Sequence, residues 1–270
     1  MTSVRGPLYL IAGGAQSASG GAQSASGGAQ SASGGAQSAS GGADQRRRRG
    51  PDTLLQTPLR RMEIPWPRVA YVGAASGDNP ALRRRNVAVL RRAGAGLVSL
   101  APLCGRRGNA AKAAAVIESA DVVFFSGGDV EAGMRVLEER GMVPFLRAVH
   151  ASGTPFIGVS AGSIMLCRGW IRWVDPGDEG SAELFPCLGL ARVWCDTHGE
   201  GDAWGELRSM LALRPVGATG YGIASGSAIV VEPDGTISAF GGEVSVFRRR
   251  KAGVAQVQSL RPGAYRTVED

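Results

Sequence analysis

Between Arg68 and Cys167 the chain alternates short, unbroken apolar runs with segments built from helix formers. This alternation restricts the fold more than any other feature. "RVAYVGAAS" (Arg68–Ser76), "GLVSLAP" (Gly96–Pro102), "DVVFFSGGD" (Asp121–Asp129) and "TPFIGVS" (Thr154–Ser160) have strand length and no polar alternation, so both faces of each strand must be covered. Helical segments separate them. Asn79 caps one, with Pro80 at its first position, that runs to about Ala93. "NAAKAAAVIESA" (Asn109–Ala120) is rich in strong helix formers, Val130–Arg140 and Val143–His150 follow, and "AGSIMLC" starts another helix directly after Ser160. The pattern predicts an α/β chain with a doubly wound, mostly parallel sheet and helices on both faces. The apolar run in "MTSVRGPLYLIAGG" reads as a first buried strand, and "SAIVVEP" and "TISAFGG" beyond residue 215 read as an antiparallel edge. Sheets of this kind place their sites at the carboxyl ends of the strands. The GGD turn and Ser160 both lie at such ends.

One segment cannot join this core. "GGAQSAS" occurs four times in register from Gly13 to Ser40, and a fifth start follows at Gly41. The unit has no large apolar side chain to offset the entropy of ordering it. A single α/β domain over residues 1–270, interrupted by a flexible insert at 13–50, is the expected organisation, since 270 residues suffice for one sizeable core.

The net charge of +7 suggests nucleic acid at first sight, but its distribution does not. Nearly all the positive charge is Arg, gathered in Arg46–Arg49, Arg83–Arg85 and Arg248–Lys251: a linker, a helix face and a strand end. No aromatics are interleaved for base stacking, so solvated surface is expected and no nucleic-acid partner. Cys104, Cys167, Cys187 and Cys195 show no CxxC spacing, which supports neither a zinc nor a redox motif and suits a reduced, cytoplasmic chain. The N-terminal apolar run is too short for a signal peptide, and no segment approaches the roughly 20 apolar residues that span a bilayer. No metal, cofactor or membrane partner is expected, and a homodimer is left open.

The chemistry centres on Gly158-Val159-Ser160-Ala161-Gly162, a G-x-S-x-G between a strand and a helix. A sharp turn there lifts the serine above the sheet, small neighbours let the backbone pack closely, and the helix start supplies an N–H beside the nucleophile. The bland alternative is a small-residue packing turn. A serine nucleophile needs a base, and the chain has two histidines. His150 falls at the end of a helix leading into the Ser160 strand, at the opposite edge of the sheet, where an exposed position is expected. His198, in "VWCDTHGEGD", follows an apolar run on the Ser160 side, so by elimination it is the candidate base. Asp175, fifteen residues after Ser160, is a candidate to orient it, with Asp178, Glu179 and Asp196 as competitors. The glycines of "SGGD" can present backbone N–H groups to a ligand, and Asp129 closing that turn is a candidate substrate contact.

The combination of "FFSGGD", "GVSAGS" and "DTH", in this order, resembles the S51 family of serine peptidases, which contains aspartyl dipeptidase (dipeptidase E) and cyanophycinase on a fold related to class I glutamine amidotransferases. The resemblance covers roughly Pro7 to Phe247 apart from the repeat. It implies Ser160 as nucleophile, His198 as base, Asp175 as the acid, and the Gly128 and Ala161 N–H groups as oxyanion hole. It also implies that Arg208, in "GELR", recognises an aspartyl carboxylate, a pairing suited to a bidentate guanidinium. Three departures stand out. Val130 occupies the place of a Gln found in cyanophycinase-like members, the arginines beyond the histidine are absent with Asp202 nearby, and "GIASGSA" (Gly222–Ala228) replaces an acidic "GIDE"-like segment. These argue against cyanophycin as substrate. The expected function is a serine-type peptidase acting on small peptides, dipeptides with N-terminal Asp among them. The alternatives are a non-catalytic ligand-binding relative and a cyanophycinase-like or esterase-like hydrolase.

Overall fold

The apolar runs do become strands, and their alternate residues feed two separate cores. The computed structural model describes residues 5–13, 51–175 and 177–267. The repeat beyond Gly13 and the Arg46–Arg49 run lie outside these residues. Strands β1 (Leu8–Ile11), β2 (Val69–Val72), β3 (Val98–Ala101), β4 (Val122–Phe125) and β5 (Phe156–Val159) lie parallel in the order β1-β5-β4-β2-β3. Leu8, Leu10, Ala70, Val72, Val123, Phe125 and Phe156 point into one core, and Tyr9, Ile11, Val69, Tyr71, Val122, Phe124 and Ile157 into the other. This is the period of two of a strand, with both sides apolar because both are covered. Full burial of one such side chain contributes about 1.5–3 kcal/mol.

Helices α1 (Pro51–Arg61) and α2 (Pro80–Arg92) bury Leu54, Leu55, Leu59 and Leu90 in the second core. Helices α3 (Ala110–Glu118), α4 (Val130–Glu139), α5 (Met142–Ala151) and α6 (Ala161–Leu166) cover the first. The expected α2 start is present: Asn79 Oδ1 accepts from the Ala81 and Leu82 amides at 2.9 and 3.0 Å, and Pro80 opens the helix. Asn109 caps α3 in the same manner, through the Lys112 amide at 2.9 Å.

Beyond α6 the chain leaves the main sheet. Strands β6 (Gly169–Trp173) and β7 (Ala182–Pro186) pair with each other, and β8 (Trp194–Thr197) pairs in parallel with β9 (Thr219–Ile223) across α7 (Gly205–Ala212). Strands β10 (Ala228–Val231) and β11 (Thr236–Phe240) return to the main sheet, antiparallel beside β1. Strands β12 (Val244–Arg250) and β13 (Gly253–Leu260) extend the second sheet to the order β13-β12-β9-β8, and β14 (Tyr265–Thr267) closes the main sheet on β11. The antiparallel C-terminal edge is therefore as expected. A second sheet, with its own core of Ile171, Trp204, Leu207, Met210, Leu211 and Phe247, is the addition. No helix among the described residues is long and apolar enough to cross a membrane, and the four cysteines are free.

Candidate active site

Strands β2, β4 and β5 are neighbours, so the turns that leave their carboxyl ends meet. After β5 the backbone turns sharply at Ser160, with φ 55° and ψ −124°, a conformation few L-residues adopt. Such strain costs on the order of 1–3 kcal/mol and persists where the surroundings impose it. The surroundings here are visible. A Cβ at Gly158 would lie 2.6 Å from the Gly162 carbonyl oxygen, and one at Gly162 would lie 2.4 Å from the Phe125 carbonyl oxygen. Both glycines of the pentapeptide are thus required by close packing. The Ser160 amide donates to the Ile11 carbonyl at 2.8 Å. Buried Ser163 fastens α6 to β1, its Oγ accepting from the Ile11 amide at 2.9 Å and donating to the Ile11 carbonyl at 3.0 Å. Ser163 is a positioning residue that the sequence reading did not single out.

The turn after β4 packs against this elbow. A Cβ on Gly127 would stand 3.2 Å from Ser160 Cβ, so the glycine lets the GGD backbone reach the nucleophile. Gly128 has φ +148°, and a Cβ there would lie 2.0 Å from the Ala75 carbonyl oxygen. That carbonyl accepts from the Asp129 amide at 2.7 Å, which anchors the turn to the loop after β2. Among the described residues the Gly128 N–H donates to no partner, and Ala161, as the first residue of α6, has an N–H outside the helical ladder. Asp129 itself caps α4, its Oδ1 accepting from the Ala132 amide at 2.8 Å.

His198 follows β8 in the second sheet rather than a strand of the main one, and it reaches the Ser160 end through a chain of hydrogen bonds. Its amide donates to the Ile223 carbonyl at the end of β9 at 3.3 Å, and its Nδ1 lies 3.0 Å from Ser225 Oγ. The Gly226 amide donates to the Gly13 carbonyl at 2.7 Å, just past β1, and β1 in turn holds the Ser160 amide. His198 has φ 66°, and the following Gly199 and the facing Gly222 lie against the buried Trp204 indole, where a Cβ on either would come within 2.7 Å of the ring. Burial holds the imidazole below its usual pKa of 6.5, with the Glu200 carboxylate opposing part of that shift. A neutral ring is therefore the resting form at pH 7. Among the described residues no hydrogen bond joins it to Ser160 Oγ.

The group on His198 Nδ1 is a serine backed by an acid. Glu200 Oε1 accepts from the Ser225 amide at 3.0 Å, which places the carboxylate beside the Ser225 side chain. Burial works to raise the Glu200 pKa, but the Ser225 contacts and the nearby imidazole outweigh it and hold the carboxyl below its usual range. Asp175 is elsewhere engaged: its exposed carboxylate accepts from the Gly177 amide at 2.9 Å, and its own amide donates to Ser181 Oγ. Asp178 accepts likewise from the Gly180 amide at 2.8 Å, and the side chain of Glu179 lies outside the described residues. Asp196 is buried on β8 with Oδ1 on the Thr197 amide at 2.7 Å. None of the Asp175, Asp178 and Asp196 carboxylates bonds His198. Arg208 lies with its guanidinium 4.9 Å from the centre of the Phe247 ring, donating from Nε to Ala203 and from Nη1 to Val254 carbonyls at 2.8 and 2.9 Å. His150 is at the far edge as expected but is not exposed. It is 4% accessible, with Nε2 2.8 Å from the Gly6 carbonyl oxygen and its ring edge-on to Phe156. The apolar face of α5 turns it inward, so it is a satisfied core histidine. Among the described residues no group of three or more potential ligands gathers to hold a metal.

Comparison with known proteins agrees with this architecture. A solved structure of a peptidase from an acI-B1 Actinobacterium superposes with a TM-score of 0.66, covering 99% of each chain at 14% identity, which establishes the shared fold. A candidate peptidase E protein from Listeria monocytogenes EGD-e gives a TM-score of 0.49 at 16% identity, covering 72% of this chain and 92% of its own. No curated protein matches the sequence. The family model of peptidase family S51 matches residues 41–238, a span that contains the Ser160 elbow, the GGD turn, His198 and Ser225. The chain belongs to peptidase family S51.

Proposed function

We propose that the protein is a serine-type peptidase of this family, cleaving short peptides with Ser160 as nucleophile and His198 as general base. The observation that carries the reading is the strained Ser160 turn, wedged against Gly127 and held by backbone contacts on both sides. A side chain with no catalytic task has no need of φ 55° when Gly would relieve it. With Nδ1–H donating to Ser225 Oγ, the neutral imidazole keeps Nε2 free to take the Ser160 proton as Oγ attacks the scissile carbonyl. The Gly128 and Ala161 N–H groups then stabilise the oxyanion, and His198 returns the proton to the leaving amine. Nucleophile–base contacts are often loose before substrate binds, and the missing Ser160–His198 bond agrees with that. In place of a direct acid, Ser225 passes the influence of Glu200 to the imidazole: the serine orients the ring, and the carboxylate stabilises the imidazolium. Glu200 and Ser225 are thus positioning residues, Ser225 in the stretch where an acidic segment of relatives has become "GIAS".

A dipeptide-library screen tests the proposal. Ser160→Ala should remove hydrolysis while circular dichroism and melting stay native, and activity surviving the change refutes the mechanism. The Asp-X dipeptides belong in that screen with Arg208→Ala beside the wild type. Since Arg208 is bonded to two carbonyls and covers Phe247, its loss should lower cleavage of all dipeptides alike, whereas a defect confined to Asp-X would establish it as the reader of the acidic side chain.

A further inference from the structure

On one side the main sheet ends at β3, and among the described residues no strand pairs with β3 beyond β2. The Leu97 carbonyl accepts from the Val69 amide at 2.8 Å. Backbone groups alternate sides along a strand, so Val98 and Leu100 turn their N–H and C=O groups away from β2. The next outward carbonyl, that of Pro102, is taken by the Asn109 amide at 2.8 Å, where α3 begins. Natural edges are commonly blunted by charge or proline, and the strand sequence VSLA has neither.

A groove of about 450 Å³ runs along this edge, between β3 and α2. Val98 and Leu100 on the strand and Val87 on the helix give it apolar walls, since both strand side chains face the second core. Arg83, Arg84 and Arg91 line it from α2, because positions four and eight apart share a helix face. None of the lining residues is acidic. Among the described residues none of these three arginine side chains has a hydrogen bond or an ion pair.

We propose that this edge is a docking site for an extended acidic peptide segment of a partner protein, which joins the main sheet as a further strand beside β3. Backbone hydrogen bonds to Val98 and Leu100 supply the attachment, the general mode of strand addition. Partner side chains opposite Val98 and Leu100 lie on the same face of the sheet, so they enter the groove, where carboxylates meet the guanidinium groups. The same charge acts against the other candidate occupant, a second copy of this chain. Pairing β3 with β3 brings two arginine-bearing α2 helices to one seam, and like charges repel. The edge is also separate from the peptidase site, because β3 lies three strand spacings from β5, about 14 Å.

Fluorescence anisotropy of the full-length protein with fluorescein-labelled Gly-Glu-Val-Glu-Val-Glu-Gly-amide, at fixed ionic strength, tests this. Saturable binding at one per chain is expected, at least tenfold tighter than for the same peptide with Lys in place of Glu. Arg84→Ala combined with Arg91→Ala, both at exposed helix positions, should weaken it at least tenfold, and Ser160→Ala should leave it unchanged. Bound peptide should slow hydrogen exchange at the Val98 and Leu100 amides, which a contact with the α2 arginines alone does not do. The proposal is overturned by the absence of saturable binding, by equal affinity for the Lys peptide, by binding that the double variant leaves intact or that Ser160→Ala removes, or by unchanged exchange at Val98 and Leu100. Sedimentation of the peptide-free protein completes the test: a dimer whose formation protects those same amides makes a second copy the occupant and overturns it too.

Discussion

Asp196 sits two residues before His198, 5% accessible, and its burial has a measurable consequence. Burial chiefly, and the Glu206 carboxylate next, push its pKa from the ordinary 3.8 to about 7. The folded state therefore holds a proton that the unfolded chain has already released between those values. Stability from this group is full below pH 3.8 and is lost as the pH rises to about 7. At pH 5 the unfolded chain is ionised and the folded one is not; at pH 8 both are. About 2 pH units of the shift fall inside that window, and at 1.36 kcal/mol per unit they correspond to about 3 kcal/mol. Asp196→Asn cannot ionise and keeps an oxygen for the Thr197 amide. Urea unfolding at pH 5 and pH 8 should show the wild type losing about 2–3 kcal/mol relative to the variant over the interval. The reasoning fails if the difference between the two proteins is the same at both pH values.

Two further outcomes follow from the site. The lowered pKa of His198 places the acidic limb of kcat/KM below pH 6.5, and Glu200→Gln should move that limb lower still while reducing kcat, because the Glu200 charge is what raises the imidazole pKa; a pH–rate profile with an unmoved limb excludes the relay through Ser225. Gly128→Ala would place a methyl group 2.0 Å from the Ala75 carbonyl oxygen at φ +148°, so a loss of at least about 2 kcal/mol in urea unfolding, with loss of hydrolysis, is expected.

The parallel core was legible because its signal is local. Continuous apolar runs such as "VVFF" imply two covered faces, and the structure divides them residue by residue between two cores. The cap at Asn79 was readable for the same reason, since a cap and the amides it serves lie within three residues of one another. The second sheet was not readable. β8 and β9 are joined by α7 and pair only with each other and with β12, a pairing between segments far apart in the sequence that no local run announces. His150 was misplaced because position along a helix was weighed without its face. The last turn of α5 is exposed at Arg147 but buried at His150, three residues on.

The same distinction explains the site. Ser160 was legible because a nucleophile elbow is a contiguous pattern whose glycines serve one turn, and both glycines prove to be sterically required. The partner of the base is a different kind of fact. Ser225 is twenty-seven residues from His198 and meets it because β8 and β9 run parallel in register, Thr197 beside Ile223, so that the loops leaving both strands emerge side by side. Glu200 enters because the chain turns at His198 in a left-handed conformation and folds its next carboxylate back over Ser225. No spacing rule from Ser160 carries that information. Fifteen residues from a nucleophile to an acid specifies a length of chain, and the β6–β7 hairpin consumes that length in placing Asp175 at an exposed turn closed by its own Gly177. A carboxylate can act on an imidazole only through contact or through a polar intermediary. Of the described acids, Glu200 alone has such a path, by way of one hydroxyl.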